Sequence, residues 1–298
     1  MDNARDRVTQ EIVEAEDLKL LASVNADGYL CSGCNTQVFP RSYRPENLYR
    51  AHFFILDPHG QDCGVEGEKK VIARGKRRSV QHELETSPGL SPARLQLIDA
   101  RTIVDPALPR AEQRTQSVSQ QDATGNTARR EGRRAANSIR PICRAFLRFP
   151  YDRHLSLEVP GVAPTTYQTA FKKLRSKGFK RFAQARVFYG ELAWSQAMES
   201  PEHLTISLNA GEWVDGELSP YQVLVHWREW SAVACGRLRN ELEVARKEGM
   251  DAKKAKQTSR SYLFFVGDQD DKNPALFHVL DHRLICTLHD DLVFPPRK

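Results

Sequence analysis

Two stretches in the second half of the chain alternate apolar and polar residues with the two-residue period of a half-buried strand. "HLTISLN" places Leu204, Ile206 and Leu208 on one face and Thr205 and Ser207 on the other. "YQVLVHWREW" sets Tyr221, Val223, Val225 and Trp227 on a single face. Before them, "ARVFYGELAWSQ" reads as a longer strand, bulged or sharply bent at Gly190. The period then changes. "SAVACGRLRNELEVARKEG" predicts a helix with Ser231 as N-cap, Ala234, Leu238, Leu242 and Ala245 as its apolar stripe and Gly249 as its stop. "SYLFFVG", "ALFHVL" and "RLICTLH" predict the closing strands.

The expected class is therefore α+β. Three strands, a helix, then two to three strands is the order of an OB-like barrel, and a plain sheet with a helix across one face accommodates it equally. Upstream, "TTYQTAFKKLRSKGFKRF" predicts a helix entered through Thr165 or Thr166 and stopped near Gly178. Pro141, Pro150 and Pro160-Gly161 are expected to break the preceding segment into short pieces.

The distribution of aromatic residues divides the chain. Between Phe54 and Phe146 there is no Phe, Tyr or Trp. Within that interval, 106–135 is rich in Gln, Ser, Thr and Arg and has too little apolar surface to offset the entropy of ordering it. It is expected to be a disordered linker between an N-terminal region, 1–105, and a β-rich domain, 136–298.

Candidate chemistry lies at the front. "GYLCSGCNTQVFP" holds Cys31 and Cys34 in a CxxC, a spacing that lets two thiolates on one turn grip one ion. His52, His59 and Cys63 follow within 29 residues of Cys34. The preferred ligand set is Cys31, Cys34, His52 and Cys63, with His59 as the alternative to His52. Four such ligands leave no open position, so a single Zn2+ here is structural, and it would hold together a module of about 28–65 whose own core is small. A redox CxxC is disfavoured because no βαβ pattern surrounds it. The remaining Cys143, Cys235 and Cys286 read as small hydrophobes.

The segment "YLCSGCNTQVF…YRAHFFILDPHGQDC" resembles the N-terminal zinc-finger-like segment of CoiA-like competence proteins, in which a CxxC is followed by strands and a His-Phe pair. The resemblance covers about residues 28–65. It implies Cys31, Cys34 and His52 as ligands and a DNA-related setting. Ile55 stands where the family has a second histidine, and Cys63 is the substitute for it. The family's nuclease-like domain has no convincing counterpart; Asp62, Glu68 and Lys70 form only a loose D…ExK.

A net charge of +6 and a pI near 9.0 favour an acidic partner. Basic residues crowd "KKLRSKGFKR", with Lys172, Lys173, Arg175, Lys180 and Arg181, and recur as Arg77 and Arg78 after the cysteine segment. All four tryptophans fall between 194 and 230. Aromatic residues in strands are ordinarily core, and Trp227, sharing a face with Val223 and Val225, is expected to be buried. Trp213, in "NAGEWVDG", is placed to stack on a base.

There is no phosphate loop, no GxSxG elbow and no HExxH helix, so no catalytic residue is assigned. The acidic turn "DQDDKNP" lacks the remaining ligands of a calcium loop. No stretch approaches the ~20 apolar residues of a membrane span, the N-terminus has no apolar leader, and the cysteine usage suits the reducing cytoplasm. These features predict a cytoplasmic, zinc-stabilised, nucleic-acid-binding accessory protein, with single-stranded DNA as partner and no membrane association. A CoiA-like nuclease or nuclease subunit, and an adaptor working through a protein complex, are the rival expectations.

Overall fold

A computed structural model describes residues 1–21, 23–44, 46–61, 63–86, 90–97 and 135–296. The N-terminal segment forms an antiparallel five-stranded sheet from β1 (Asn3–Asp6), β2 (Ile12–Glu14), β3 (Tyr29–Leu30), β4 (Gln37–Arg41) and β5 (His52–Phe54), in the order β2-β1-β3-β4-β5. Its core is small, with Leu18, Tyr29, Val38 and Phe53 as its larger members and Cys31 and Cys63 buried among them.

Helix α1 (Gly64–Gly75) leaves this sheet and packs Val71 and Ile72 against a second core. Val80 and, from helix α2 (Gln81–Thr86), β6 (Arg94–Leu95), β7 (Ala135–Ala136) and α3 (Ile139–Arg148), Leu84, Leu95, Ala136, Ile142 and Phe146 join that same core. Apart from Ala135, the expected linker lies outside the described residues. Pro141 does not interrupt its segment. It occupies the first turn of α3, where no helical hydrogen bond requires its missing N–H.

The expected helix from Thr165 to Gly178 is corrected. Only α4 (Tyr167–Ala170) is helical, with Thr166 capping through the Thr169 amide, and β8 (Phe171–Lys173) follows at once. Tertiary packing overrides helix propensity here: Phe171 stacks on Phe146 with ring centroids 4.0 Å apart, and β8 pairs in parallel with β9 (Val187–Glu191).

The alternating strands appear as β11 (His203–Val214) and β12 (Glu217–His226), preceded by the short β10 (Met198–Glu199). Leu204, Ile206, Leu208, Val223, Val225 and Trp227 are all buried. Helix α5 (Ala232–Lys254) is capped by Ser231, as its sequence predicts, but runs past Gly249, which packs beside Ser261 and Trp194. Strands β13 (Arg260–Val266), β14 (Asp268–Gln269), β15 (Leu276–Val279) and β16 (Ile285–Asp290) complete the chain.

Both faces of β9 and β13 are covered, which explains why "VFYG" and "SYLFFV" read as apolar runs without alternation. Tyr189 and Phe264 face the core built on α3, while Phe188, Leu263 and Phe265 face a third core enclosed by β11, β12, β15 and α5. The strands around that third core form two sheets joined by one bridge and by chain continuity. β9 pairs with β13 and runs on to Leu192, which bridges Leu208 of β11. β11 pairs with β12, β12 with β15 in parallel, and β15 with β14. β14 follows β13 directly through Gly267, where a Cβ would lie 2.2 Å from the His278 carbonyl oxygen.

The N-terminal sheet docks on the rest through charge. Arg144 lies 2.9 Å from Glu14 and Arg148 lies 2.7 Å from Asp2. Arg50 forks onto Glu248 and donates to the Thr287 carbonyl at 2.9 Å. Lys19, buried, pairs with Glu16 at 3.1 Å and donates to Asn240 of α5 at 2.7 Å. Behind this seam Arg140 and Glu241 are paired in full burial, with Nη2 and Oε2 2.5 Å apart.

Candidate metal centre

The hairpin between β3 and β4 makes the first half of the site. Cys31 accepts a hydrogen bond at Sγ from the Gly33 amide (3.4 Å), its own amide donates to the Thr36 carbonyl (2.7 Å), and Asn35 turns the chain with φ of 61°. Gly33 permits the two halves to meet, since a Cβ there would lie 2.8 Å from the Val65 nitrogen and 3.1 Å from the Cys63 sulfur. The second half is the turn from Gly60 into α1. Cys63 is the N-cap of that helix, so its sulfur sits where the helix dipole favours negative charge.

One potential ligand atom from each of Cys31, Cys34, His59 and Cys63 comes within 4.8 Å of all the others. The Cys31 and Cys63 sulfurs are 3.6 Å apart, and His59 Nδ1 is 3.4 Å from the Cys34 sulfur and 3.2 Å from that of Cys63. Tetrahedral coordination with zinc's usual bond lengths has ligand–ligand edges of about 3.8 Å for S···S and about 3.5 Å for S···N. The observed separations fit a single ion.

His52 is not a ligand. It sits in β5 between Ala51 and Phe53, which are buried, so strand alternation turns its side chain out to solvent, where Nδ1 meets the Arg50 carbonyl at 3.1 Å. His59 takes its place. The signal was the short spacing from His59 to Cys63, which lets one turn deliver both. We therefore expect His59→Ala to lose most of the bound metal and His52→Ala to retain all of it, as read by elemental analysis of the purified chains.

The thiols are unequally poised. Burial raises Cys31 to about 12, against the pull of its hydrogen bonds from the backbone at Gly33 and Cys34. At Cys34 the raising effect of burial is outweighed by hydrogen bonds with Thr36 and His59, which bring it down to about 5. Cys34 offers a thiolate at neutral pH, whereas Cys31 must give up a proton to an incoming ion. A tetrahedral ion held by all four residues would have no open position for a substrate.

The other selected residues are dispersed. Arg77 and Arg78 are exposed just beyond α1. Lys172 and Lys173 are in β8, and Lys172 lies over the Phe182 ring at 5.8 Å. Arg175 and Lys180 are exposed in the loop that follows. That loop is pinned to the β11–β12 hairpin: the Gly178 amide donates to the Gly211 carbonyl (3.3 Å), and the Lys180 amide donates to the Tyr221 hydroxyl (3.0 Å). Arg181 donates to the carbonyls of Asp270 and Asp271 in the acidic turn, the latter at 2.6 Å. Trp213, two residues beyond Gly211, is 62% exposed, whereas Trp227 is buried as its strand position requires.

Glu68 and Lys70 lie on α1 and not on a strand, and Asp62 is outside the described residues. Among the described residues no helix is long and apolar enough to cross a membrane. No protein-family model matches this chain, and neither a curated protein nor a solved structure matches it.

Proposed function

We propose that this protein is a zinc-stabilised nucleic-acid-binding accessory protein that takes single-stranded DNA on an OB-like barrel, without reading base sequence. One observation carries the reading: the basic loop after β8 is hydrogen-bonded at Gly178 and Lys180 to the hairpin that holds Trp213 out to solvent. A cationic track beside an exposed aromatic ring is what a sequence-tolerant single-strand binder needs, because every base offers a face for stacking and every nucleotide a phosphate.

The run of neighbours β13-β9, the Leu192–Leu208 bridge to β11, then β11-β12-β15-β14 supports an OB-like assignment, with α5 between the third and fourth strands. The Cys₃His cluster supports zinc as the ion, since three thiolates and an imidazole suit it better than the oxygen-preferring cations. Its role is to hold the N-terminal sheet together. The CoiA-like resemblance of residues 28–65 implies the same DNA-related setting, with His59 in place of the His52 ligand it implies.

The test is a polarisation titration of the full chain against single- and double-stranded oligonucleotides at two salt concentrations. Single strands should bind more tightly, with affinity falling steeply as salt rises. Trp213→Ala should weaken binding by about 1–3 kcal/mol. No shift with either oligonucleotide, together with recovery of a stoichiometric protein partner, would transfer the assignment to an adaptor.

A further inference from the structure

A cavity of about 250 Å³ opens beside α5, where β9 crosses toward β11, and is lined by Glu191, Trp194, Arg246, Lys253, Arg260 and Ser261 among others. Three of those six side chains are cations and one is an acid. Glu191 lies 3.8 Å from Arg260, whose Nη1 is engaged by the carbonyls of Gln257 and Ser259. Arg246 has no comparable restraint, and Lys253 is held only by a ring face that an incoming base would take over. Arg246 Nε and Nη2 are buried and have no hydrogen-bond partner. Lys253 holds its ammonium 4.1 Å from the centroid of the Trp194 ring, which is 46% exposed.

Two buried guanidinium nitrogens without acceptors are costly, and partial burial already pulls Arg246 below the ordinary arginine range despite nearby Glu243. An anionic oxygen ligand relieves that cost. A phosphate monoester, near two negative charges at neutral pH, matches Arg246 and Lys253 better than a carboxylate does. The cavity is smaller than the ~300–1,000 Å³ of pockets that enclose a whole drug-sized ligand, so part of the ligand must stay outside. The half-exposed indole at the mouth is a stacking surface for a planar base.

We propose that this cavity binds a nucleoside 5′-monophosphate, with the phosphate on Arg246 and Lys253 and the base against Trp194. The ligand is either a free nucleotide or the 5′-phosphorylated end of a strand. The second source rests on the strand-binding reading above, and the first does not.

Calorimetric and tryptophan-fluorescence titrations of the full, metal-loaded chain with adenosine 5′-monophosphate and with adenosine test the site. The monophosphate should bind and quench, adenosine should not bind, and Arg246→Gln and Lys253→Gln should each weaken the monophosphate about tenfold or more. Lys253 is exposed, so its variant reports even if Arg246→Gln fails to fold. No binding of the monophosphate, equal binding of adenosine, or indifference to Lys253→Gln overturns the site. Oligothymidylates with and without a 5′-phosphate separate the sources. A preference for the phosphorylated end, lost in Lys253→Gln, assigns the strand end, and monophosphate binding without that preference assigns a free nucleotide. Strand binding with no monophosphate binding refutes the cavity alone, whereas monophosphate binding with no strand binding refutes the strand reading alone.

Discussion

Cys63→Ser is expected to release the metal and unfold residues 29–65 while the two larger cores persist. A structural zinc site contributes about 10–16 kcal/mol of folding free energy. The N-terminal core has few large side chains besides Leu18, Tyr29 and Phe53 to set against the entropy of ordering its loops. Removing one of four ligands forfeits most of the metal's contribution. Cys63 occupies the N-cap position of α1 without a side-chain cap bond, and serine is itself a good N-cap, so the loss is of the metal and not of the helix start. Hydrogen exchange resolved along the chain should show protection collapse over the β3–β5 segment, and a strong chelator should reproduce it on the unmodified protein. Wild-type protection in a metal-free Cys63→Ser chain would mean that packing and the charged seam suffice.

The second large effect is expected at the buried pair of Arg140 and Glu241. Breaking such a pair from one side leaves an uncompensated charge in the interior and typically costs about 3–5 kcal/mol. Glu241 deserves the larger share of the loss. Its carboxylate faces Arg140, Arg237 and Arg50, and it also accepts from the Thr287 amide in β16. Denaturant midpoints of Arg140→Met, Glu241→Gln and the double variant would give the coupling directly.

The pH dependence has a defined sign. Burial pushes Glu241 upward, but its guanidinium neighbours and the Thr287 amide more than offset this, leaving it below the ordinary value of 4.5. Its contribution is therefore complete above pH 4.5 and is lost as the pH falls through the folded-state value. The stability difference between the wild type and Glu241→Gln should shrink correspondingly. A difference that stays constant under acidification would remove the carboxylate from the account.

Much of the C-terminal sheet structure could be read from the chain, because burial on one face leaves a two-residue period that a few residues suffice to reveal. β11 and β12 show this at Leu204, Ile206, Val223 and Val225. Three of the four clustered metal-ligand candidates, Cys31, Cys34 and Cys63, were legible, and the histidine was not. A CxxC states its purpose through its spacing, whereas choosing between His52 and His59 required knowing which face of β5 points outward. The 165–178 segment misled because Lys, Leu and Arg favour helices locally, while the stacking of Phe171 on Phe146 couples residues 25 positions apart. The docking of the N-terminal sheet was invisible for the same reason. Asp2, Asp17 and Arg50 look like ordinary surface charges until their partners on α3, α5 and β16 are known.

Helix α1 begins on a sulfur ligand and, some 18 Å later, ends with Val71 and Ile72 set into the neighbouring core and Lys76 paired with Asp290 at 2.5 Å. Oxidation of the knuckle thiols would thus be felt as slackening at the far end of a stiff rod. In a Cys235→Ala background, which removes the partly exposed thiol of the larger half, material prepared without reductant should still melt less cooperatively in that half.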